Sequence, residues 1–121
     1  MTHSNEFHDG GWTPVCALDD ISPSMGVCAL LGRRQVAVFR MPDDRLFALD
    51  NHDPHSGANV LSRGIVGDLA GELVVASPMY KHHYKLHTGE CVEDAQTSVA
   101  VYPVKSCNGK VWVCAGEDSG A

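Results

Sequence analysis

An all-β fold is predicted by three features of this sequence: turn residues recur too densely for long helices, the runs between them favour β-branched and aromatic residues, and no internal repeat organises them. Gly10-Gly11, Ser22-Pro23, Gly32, Pro42-Asp43-Asp44, Asp53-Pro54, Gly57, Gly64, Gly67, Gly71, Gly89 and Asn108-Gly109 leave few windows of helical length. The chain of 121 residues is 44% hydrophobic and 20% charged, which suits one folded domain over 1–121 and excludes disorder. Residues 1–9 and 116–121 are expected to fray.

Taken in order, the strand-like runs are Trp12 to Cys16, Val27 to Leu31, Gln35 to Arg40, Arg45 to Leu49, Leu73 to Ala76, Tyr84 to Leu86, Val99 to Lys105 and Lys110 to Cys114. Gly32-Arg33-Arg34 turns the second run into the third, and Pro42-Asp43-Asp44 turns the third into the fourth, so three consecutive antiparallel strands are expected. Asn108-Gly109 supplies the paired positive φ angles of a type I′ turn, folding Val99 to Ser106 back on Lys110 to Ala115. Ala58 to Ser62 has helical spacing, but Gly57 and Gly64 bracket it and allow one or two turns at most. Trp12, Phe39, Phe47, Tyr102 and Trp112 fall in these runs and are expected to build the core.

Charge and cysteine usage narrow the function. Fifteen acidic against nine basic residues give a net charge of -6 with no basic block, which argues against nucleic acid. No apolar stretch approaches the roughly 20 residues of a membrane helix, and the polar start from Thr2 to Glu6 does not read as a secretory signal. A cytoplasmic protein without a membrane partner is expected. Cys16, Cys28, Cys91, Cys107 and Cys114 are odd in number and never form a C-x-x-C pair, so buried structural thiols are expected rather than a disulfide framework or zinc site. Gly64-Ile-Val-Gly67-Asp68 lacks the spacing of a dinucleotide loop, and no Ser-His-Asp or Cys-His arrangement has a plausible context.

Two polar loops carry the remaining information: Asp50-Asn51-His52-Asp53-Pro54-His55-Ser56-Gly57-Ala58, and Ser77-Pro78-Met79-Tyr80-Lys81-His82-His83-Tyr84 with Leu86 and Thr88-Gly89-Glu90 following. Their text resembles the two ligand loops of Rieske proteins, where C-x-H and C-x-x-H hold a [2Fe-2S] cluster between thiolates and imidazoles. The resemblance implies an antiparallel β-sandwich with the two loops at one tip and at most one short helix. The ligands depart from the pattern, because Asp53 and Ser77 stand at the cysteine positions, Tyr80 stands at the second histidine position, and only His55 keeps its place. Sulfide-bridged iron requires soft thiolates, so these four degenerate positions are not expected to bind a cluster, and Cys91 falls outside both loops.

A narrower resemblance covers most of the chain. Trp12 with Val15-Cys16, Gly26 to Leu31, Gln35 to Arg40, Asp50-Asn51-x-Asp53-Pro54, Val60-Leu61-Ser62-Arg63-Gly64-Ile65-Val66-Gly67-Asp68, Ser77-Pro78-Met79-Tyr80-Lys81 and Thr88-Gly89-Glu90-Cys91 are similar to the small subunits of assimilatory NAD(P)H-dependent nitrite reductases. That family usually carries phenylalanine where this chain has His55. The resemblance implies a non-catalytic subunit, its oxidoreductase label inherited from a complex that reduces nitrite to ammonium. Sirohaem, an iron-sulfur cluster, FAD and NAD(P)H are implied on the large subunit, with no cofactor, metal or catalytic residue on this chain. A Rieske-type ferredoxin and a stand-alone module binding metal through its histidine-rich loops are the alternatives; iron content and zinc dialysis separate them.

For Asp53, His55 and Tyr80, a hydrogen-bonded network pinning the loops is a simpler expectation than a metal site or acid/base pair. His52, Arg63, Lys81, His82, His83 and Lys85 are the candidates for contact with the large subunit, since the cluster tip is where active Rieske proteins dock. His52, His82, His83 and His87 also form a histidine-rich edge for which loop exposure is the commoner meaning.

Overall fold

The computed structural model describes residues 11–79 and 81–114. Among the described residues there are ten strands, β1 (Trp12–Ala17), β2 (Met25–Leu31), β3 (Arg34–Arg40), β4 (Leu46–Asp50), β5 (Ile65–Leu69), β6 (Glu72–Ala76), β7 (His83–Lys85), β8 (Val101–Tyr102), β9 (Val104–Cys107) and β10 (Lys110–Cys114). The described helical pieces between them are single 3-10 turns at Leu18–Asp20 and Leu61–Arg63. All strand pairs are antiparallel, in three sheets ordered β1-β10-β9, β2-β3-β4-β8 and β5-β6-β7.

β3 explains how three sheets share one domain. Its side chains alternate with period 2, and both faces are buried. Val36 and Val38 join Ile21, Leu31, Ala48, Val111 and Val113 in a core shared with β10. Ala37 and Phe39 face the other way, into a core with Leu49, Leu61, Val75, Tyr84, Leu86 and Val99. The β2-β3-β4-β8 sheet therefore serves two cores, and the second of these supports the polar loops.

The turns follow from their residues. Leu31 pairs with Arg34 across Gly32 (φ +62) and Arg33, the pattern of a type II′ turn, so the tight turn ends one residue earlier than Gly32-Arg33-Arg34 suggests. Cys107 pairs with Lys110 across Asn108 (φ +54) and Gly109 (φ +78), as the type I′ reading requires. Ala70 (φ +54) and Gly71 (φ +90) close a third two-residue hairpin, β5-β6, and the Asp68 carboxylate accepts from the Gly71 N–H at 2.7 Å.

Four expectations are corrected. Ile65–Leu69 is a strand, hidden in the sequence because Gly67 interrupts its apolar alternation and its outer residues stay exposed. Val99 to Lys105 is not one strand: Val101–Tyr102 pairs with β4, Val104–Cys107 pairs with β10, and Pro103, which has no N–H to donate, marks the change of sheet. Of the five aromatics assigned to the core only Phe39 is fully buried, while Trp12, Phe47, Tyr102 and Trp112 are half-buried. Only Cys91 among the cysteines is buried; Cys28 and Cys107 are exposed, since β2 and β9 are edge strands where the cover runs out. All five are free thiols. The expected fraying of 1–9 and 116–121 concerns residues outside the described ones. Among the described residues no helix is long and apolar enough to cross a membrane.

Candidate functional site

The first polar loop leaves β4 and is shaped by its own side chains. Asn51, buried, accepts from the Ser62 N–H through Oδ1 at 2.7 Å and donates through Nδ2 to the Asn59 carbonyl at 3.1 Å, tying the loop's exit to its entry. Within it, the Asp53 N–H donates to the Ala58 carbonyl, and Gly57 (φ +78) donates back to the Asp53 carbonyl. The second loop leaves β6 and closes on itself as the Ser77 N–H donates to the His82 carbonyl and the Lys81 N–H to the Ser77 carbonyl.

Asp53 joins the two loops. It is completely buried, and its carboxylate accepts four hydrogen bonds: from Ser77 Oγ at 2.6 Å and Ser56 Oγ at 3.0 Å on Oδ2, and from Tyr84 OH at 2.8 Å and the His55 N–H at 3.0 Å on Oδ1. Burial pushes the carboxyl pKa up, but the hydrogen bonds from Ser77, Tyr84, His55 and Ser56 outweigh it and hold the group at about 2. The Tyr84 hydroxyl is raised far above its ordinary value by burial and then by its bond to the charged Asp53. Two residues at thiolate positions of the Rieske pattern, Asp53 and Ser77, thus satisfy each other.

His55 extends the network. Because the Tyr84 hydroxyl donates to Asp53, its oxygen is left to accept from His55 Nδ1 at 2.7 Å. The other ring nitrogen, Nε2, lies 3.3 Å from Asp94 Oδ2, an oxygen that also accepts from Thr97 Oγ1 at 2.7 Å. Thr97 first, then the Gln96 N–H and His55, hold the Asp94 carboxyl below its usual value. The His82 ring lies parallel to the His55 ring, 3.9 Å between centroids and 6° between planes, so an imidazole of the second loop covers an imidazole of the first. Buried His82 Nδ1 has no hydrogen-bond partner among the described residues.

The other sequence candidates scatter. His83 Nδ1 meets Glu93 Oε2 at 2.6 Å; burial raises the Glu93 carboxyl, but the bonds from the His83 N–H and ring overcome this and bring it to about 2. Lys85 lies 3.5 Å from Glu90 Oε1, along β7 rather than in the loop. Lys81 is exposed at the loop with φ +61, and Arg63 is exposed beyond the 3-10 turn. His52 is exposed, with its Nδ1 2.9 Å from Asn59 Oδ1. Tyr80, the fourth degenerate ligand position, lies outside the described residues. Sequence reasoning missed Tyr84, Ser56, Asp94 and Thr97 as members of the network. Tyr84 carried a signal, since it alternates inward with Leu86 on the strand leaving the second loop, and a buried phenol needs a partner. Among the described residues no group of three or more His, Cys, Asp or Glu side chains is arranged to hold a metal ion.

Two loops joined at the end of a three-sheet β-structure define the class: the Rieske-like [2Fe-2S] domain family matches residues 11–114. The small subunit of the NADH nitrite reductase of Escherichia coli K12 is 48% identical over 101 residues, covering 83% of this chain and 94% of that protein. The NMR structure of the Escherichia coli protein NirD superposes with a TM-score of 0.79 at 47% identity, covering 84% of this chain and 94% of that one. The chain belongs to the family of nitrite reductase small subunits. A nitrite reductase large subunit of Klebsiella oxytoca also matches, 48% identical over 102 residues, and there the chain spans only 11% of the relative's length.

Proposed function

We propose that this chain is the non-catalytic small subunit of a cytoplasmic NAD(P)H-dependent nitrite reductase, in which the large subunit binds nitrite and carries sirohaem, an iron-sulfur cluster, FAD and the nicotinamide. Its task is to dock on that subunit through the tip formed by the two loops. The observation that carries this reading is the Asp53 carboxylate, whose four accepted hydrogen bonds join the former ligand loops without iron. The donors present do not fit a [2Fe-2S] cluster: Asp53 and Ser77 offer hard oxygen already engaged with each other, and buried Cys91 accompanies Tyr84 across a β-bridge rather than lying in either loop.

The tip chemistry suits binding. Lys81 is exposed in the second loop, next in sequence to His82, whose ring stacks on that of His55, on a chain whose net charge is -6. A charged rim of this kind steers association more than it adds affinity. The Klebsiella oxytoca match supports a common assembly, because in that protein a segment similar to this chain belongs to a polypeptide named as the large subunit. The test is reconstitution: the large subunit, purified alone and together with this chain, is assayed for NADH-dependent nitrite reduction and for co-elution. Co-elution with increased or stabilised activity is the expected result; separate elution with unchanged activity overturns the reading.

A further inference from the structure

The β1-β10-β9 sheet turns one face to the core that it shares with β3 and the other face away from it. Residues directly opposite one another in antiparallel strands share a face, so Thr13, Val113 and Val104, matched across the three strands, lie on the core side with buried Val113. Pro14, Trp112 and Lys105, matched in the same way, lie on the outer side, as does Trp12, matched to Cys114. Lys105 Nζ sits 4.4 Å from the centroid of the Trp12 ring, which places these two side chains together on that face. The chain has two tryptophans, and both are therefore here, half-buried on the side of the sheet that the core does not use. Trp112 Nε1 is enclosed with no acceptor among the described residues, so this indole is held at a cost that the chain's own hydrogen bonds do not offset. Large, rigid aromatic side chains held on an outer face are the kind of group on which protein interfaces centre.

The two ends of the domain lie at this face. Trp12, at the start of β1, is paired with Cys114, at the end of β10. In the Klebsiella oxytoca large subunit the segment similar to this chain is 102 residues long, about the span from Trp12 to Cys114, and makes up 11% of one polypeptide. Whichever end of such a segment continues into the rest of that polypeptide, the chain leaves from beside the tryptophan face, because both ends are there. A domain tethered at this edge holds the face at high effective concentration against the protein to which it is joined.

We propose that the outer face of the β1-β10-β9 sheet, centred on Trp12 and Trp112, docks on an apolar patch of the large subunit. This rests on the small-subunit reading above and gives it a second contact beyond the tip. The test labels this chain with fluorotryptophan, which puts one fluorine on each of the two indoles, and follows both by fluorine NMR with a soluble paramagnetic agent, alone and with unlabelled large subunit. Both fluorines are expected to be open to the agent in the isolated chain and shielded in the complex. In parallel, Kd is measured for wild type and Trp12→Ala, with Leu30→Ser and Ile65→Ser, which remove exposed apolar side chains from the other two sheets, as controls and a thermal melt of each. Trp12→Ala is expected to weaken binding about fivefold or more while remaining folded, and the controls to match wild type. A complex in which either fluorine stays open, weakening by folded Trp12→Ala of less than about fivefold, or equal weakening by a control overturns the docking face and leaves the small-subunit reading intact. Fluorines already shielded in the isolated chain would mean that a second copy or the chain's own ends cover the face, and would overturn the proposed occupant. Failure of wild type itself to bind overturns both.

Discussion

Replacing Asp53 with Asn keeps the shape of the side chain and removes its charge. Oδ1 can still accept from the Tyr84 hydroxyl and the His55 N–H, but the new Nδ2 faces Ser77 Oγ and Ser56 Oγ, which now donate to the carboxylate. Those serine oxygens already accept from the Met79 and Ala58 N–H groups, so their hydroxyl protons lose their acceptor in a buried space. Two routes give the magnitude. A shift of the Asp53 pKa from 3.8 to about 2 corresponds to about 2 kcal/mol of stability at neutral pH. Losing two hydrogen bonds to a charged acceptor costs about 3 to 5 kcal/mol. The second route counts the stranded hydroxyls, which the first does not, so about 3 kcal/mol is expected, a fall in Tm of roughly 10 to 15 °C for a chain of this size. Urea denaturation and thermal melts at neutral pH measure it. The sign with pH is equally definite: a depressed carboxylate pKa contributes stability that is present above the unfolded value of 3.8 and lost as pH falls through about 2, so the gap between wild type and Asp53→Asn narrows over that range. A loss under about 1 kcal/mol, or a gap independent of pH, would show that the charge of Asp53 does not hold the loops together.

Other consequences are as direct. Glu93, lowered from 4.5 to about 2 by its bonds to His83, adds a second contribution of the same sign, so the Tm of wild type should hold steady down to about pH 5 and fall steeply below; circular dichroism melts across pH 2 to 7 check this. At Gly64 an added Cβ would meet the Ala76 carbonyl oxygen and lie 2.6 Å from Val75 Cγ2, whereas at Gly67 it would meet nothing within 4 Å. Gly64→Ala should therefore cost about 2 kcal/mol and Gly67→Ala less than about 0.5, read from paired urea curves. Charge reversal of Lys81 and Lys85 should weaken co-purification with the large subunit while shifting Tm little, with Lys81 the larger effect because Lys85 already lies 3.5 Å from Glu90. Normal binding by the double variant would move the docking face away from the tip.

The strands and most turns were legible because they are written in local chemistry. Asn108-Gly109 and the short β-branched and apolar run of Val36 to Phe39 each favour one conformation without help from distant residues. β5 was not legible, since its pairing with β6 depends on a hairpin through Ala70-Gly71, where the positive φ of an alanine has no sequence signature. The loops and their altered ligand positions could be read from the text of the two motifs. What joins them could not: Tyr84 is 31 residues from Asp53, and His82 covers His55 only because β4 and β6 deliver their loops to the same tip. Trp12, Phe47, Tyr102 and Trp112 lie shallower than their strand runs suggest for a related reason. A strand run shows which residues alternate but not which sheet face remains uncovered, and the outer face of β10 leaves Trp112 half-buried between Val111 and Val113.

On the proposed reading, hydrogen bonds to Asp53 do at this tip the structural work that a cluster does in iron-binding Rieske domains. Its most direct test is the iron and acid-labile sulfide content of the chain purified anaerobically from iron-replete cells, alongside its visible spectrum. A colourless, folded protein with iron and sulfide at background is the expected result. Iron and sulfide in stoichiometric amount, with the visible absorption of a [2Fe-2S] centre, would contradict it.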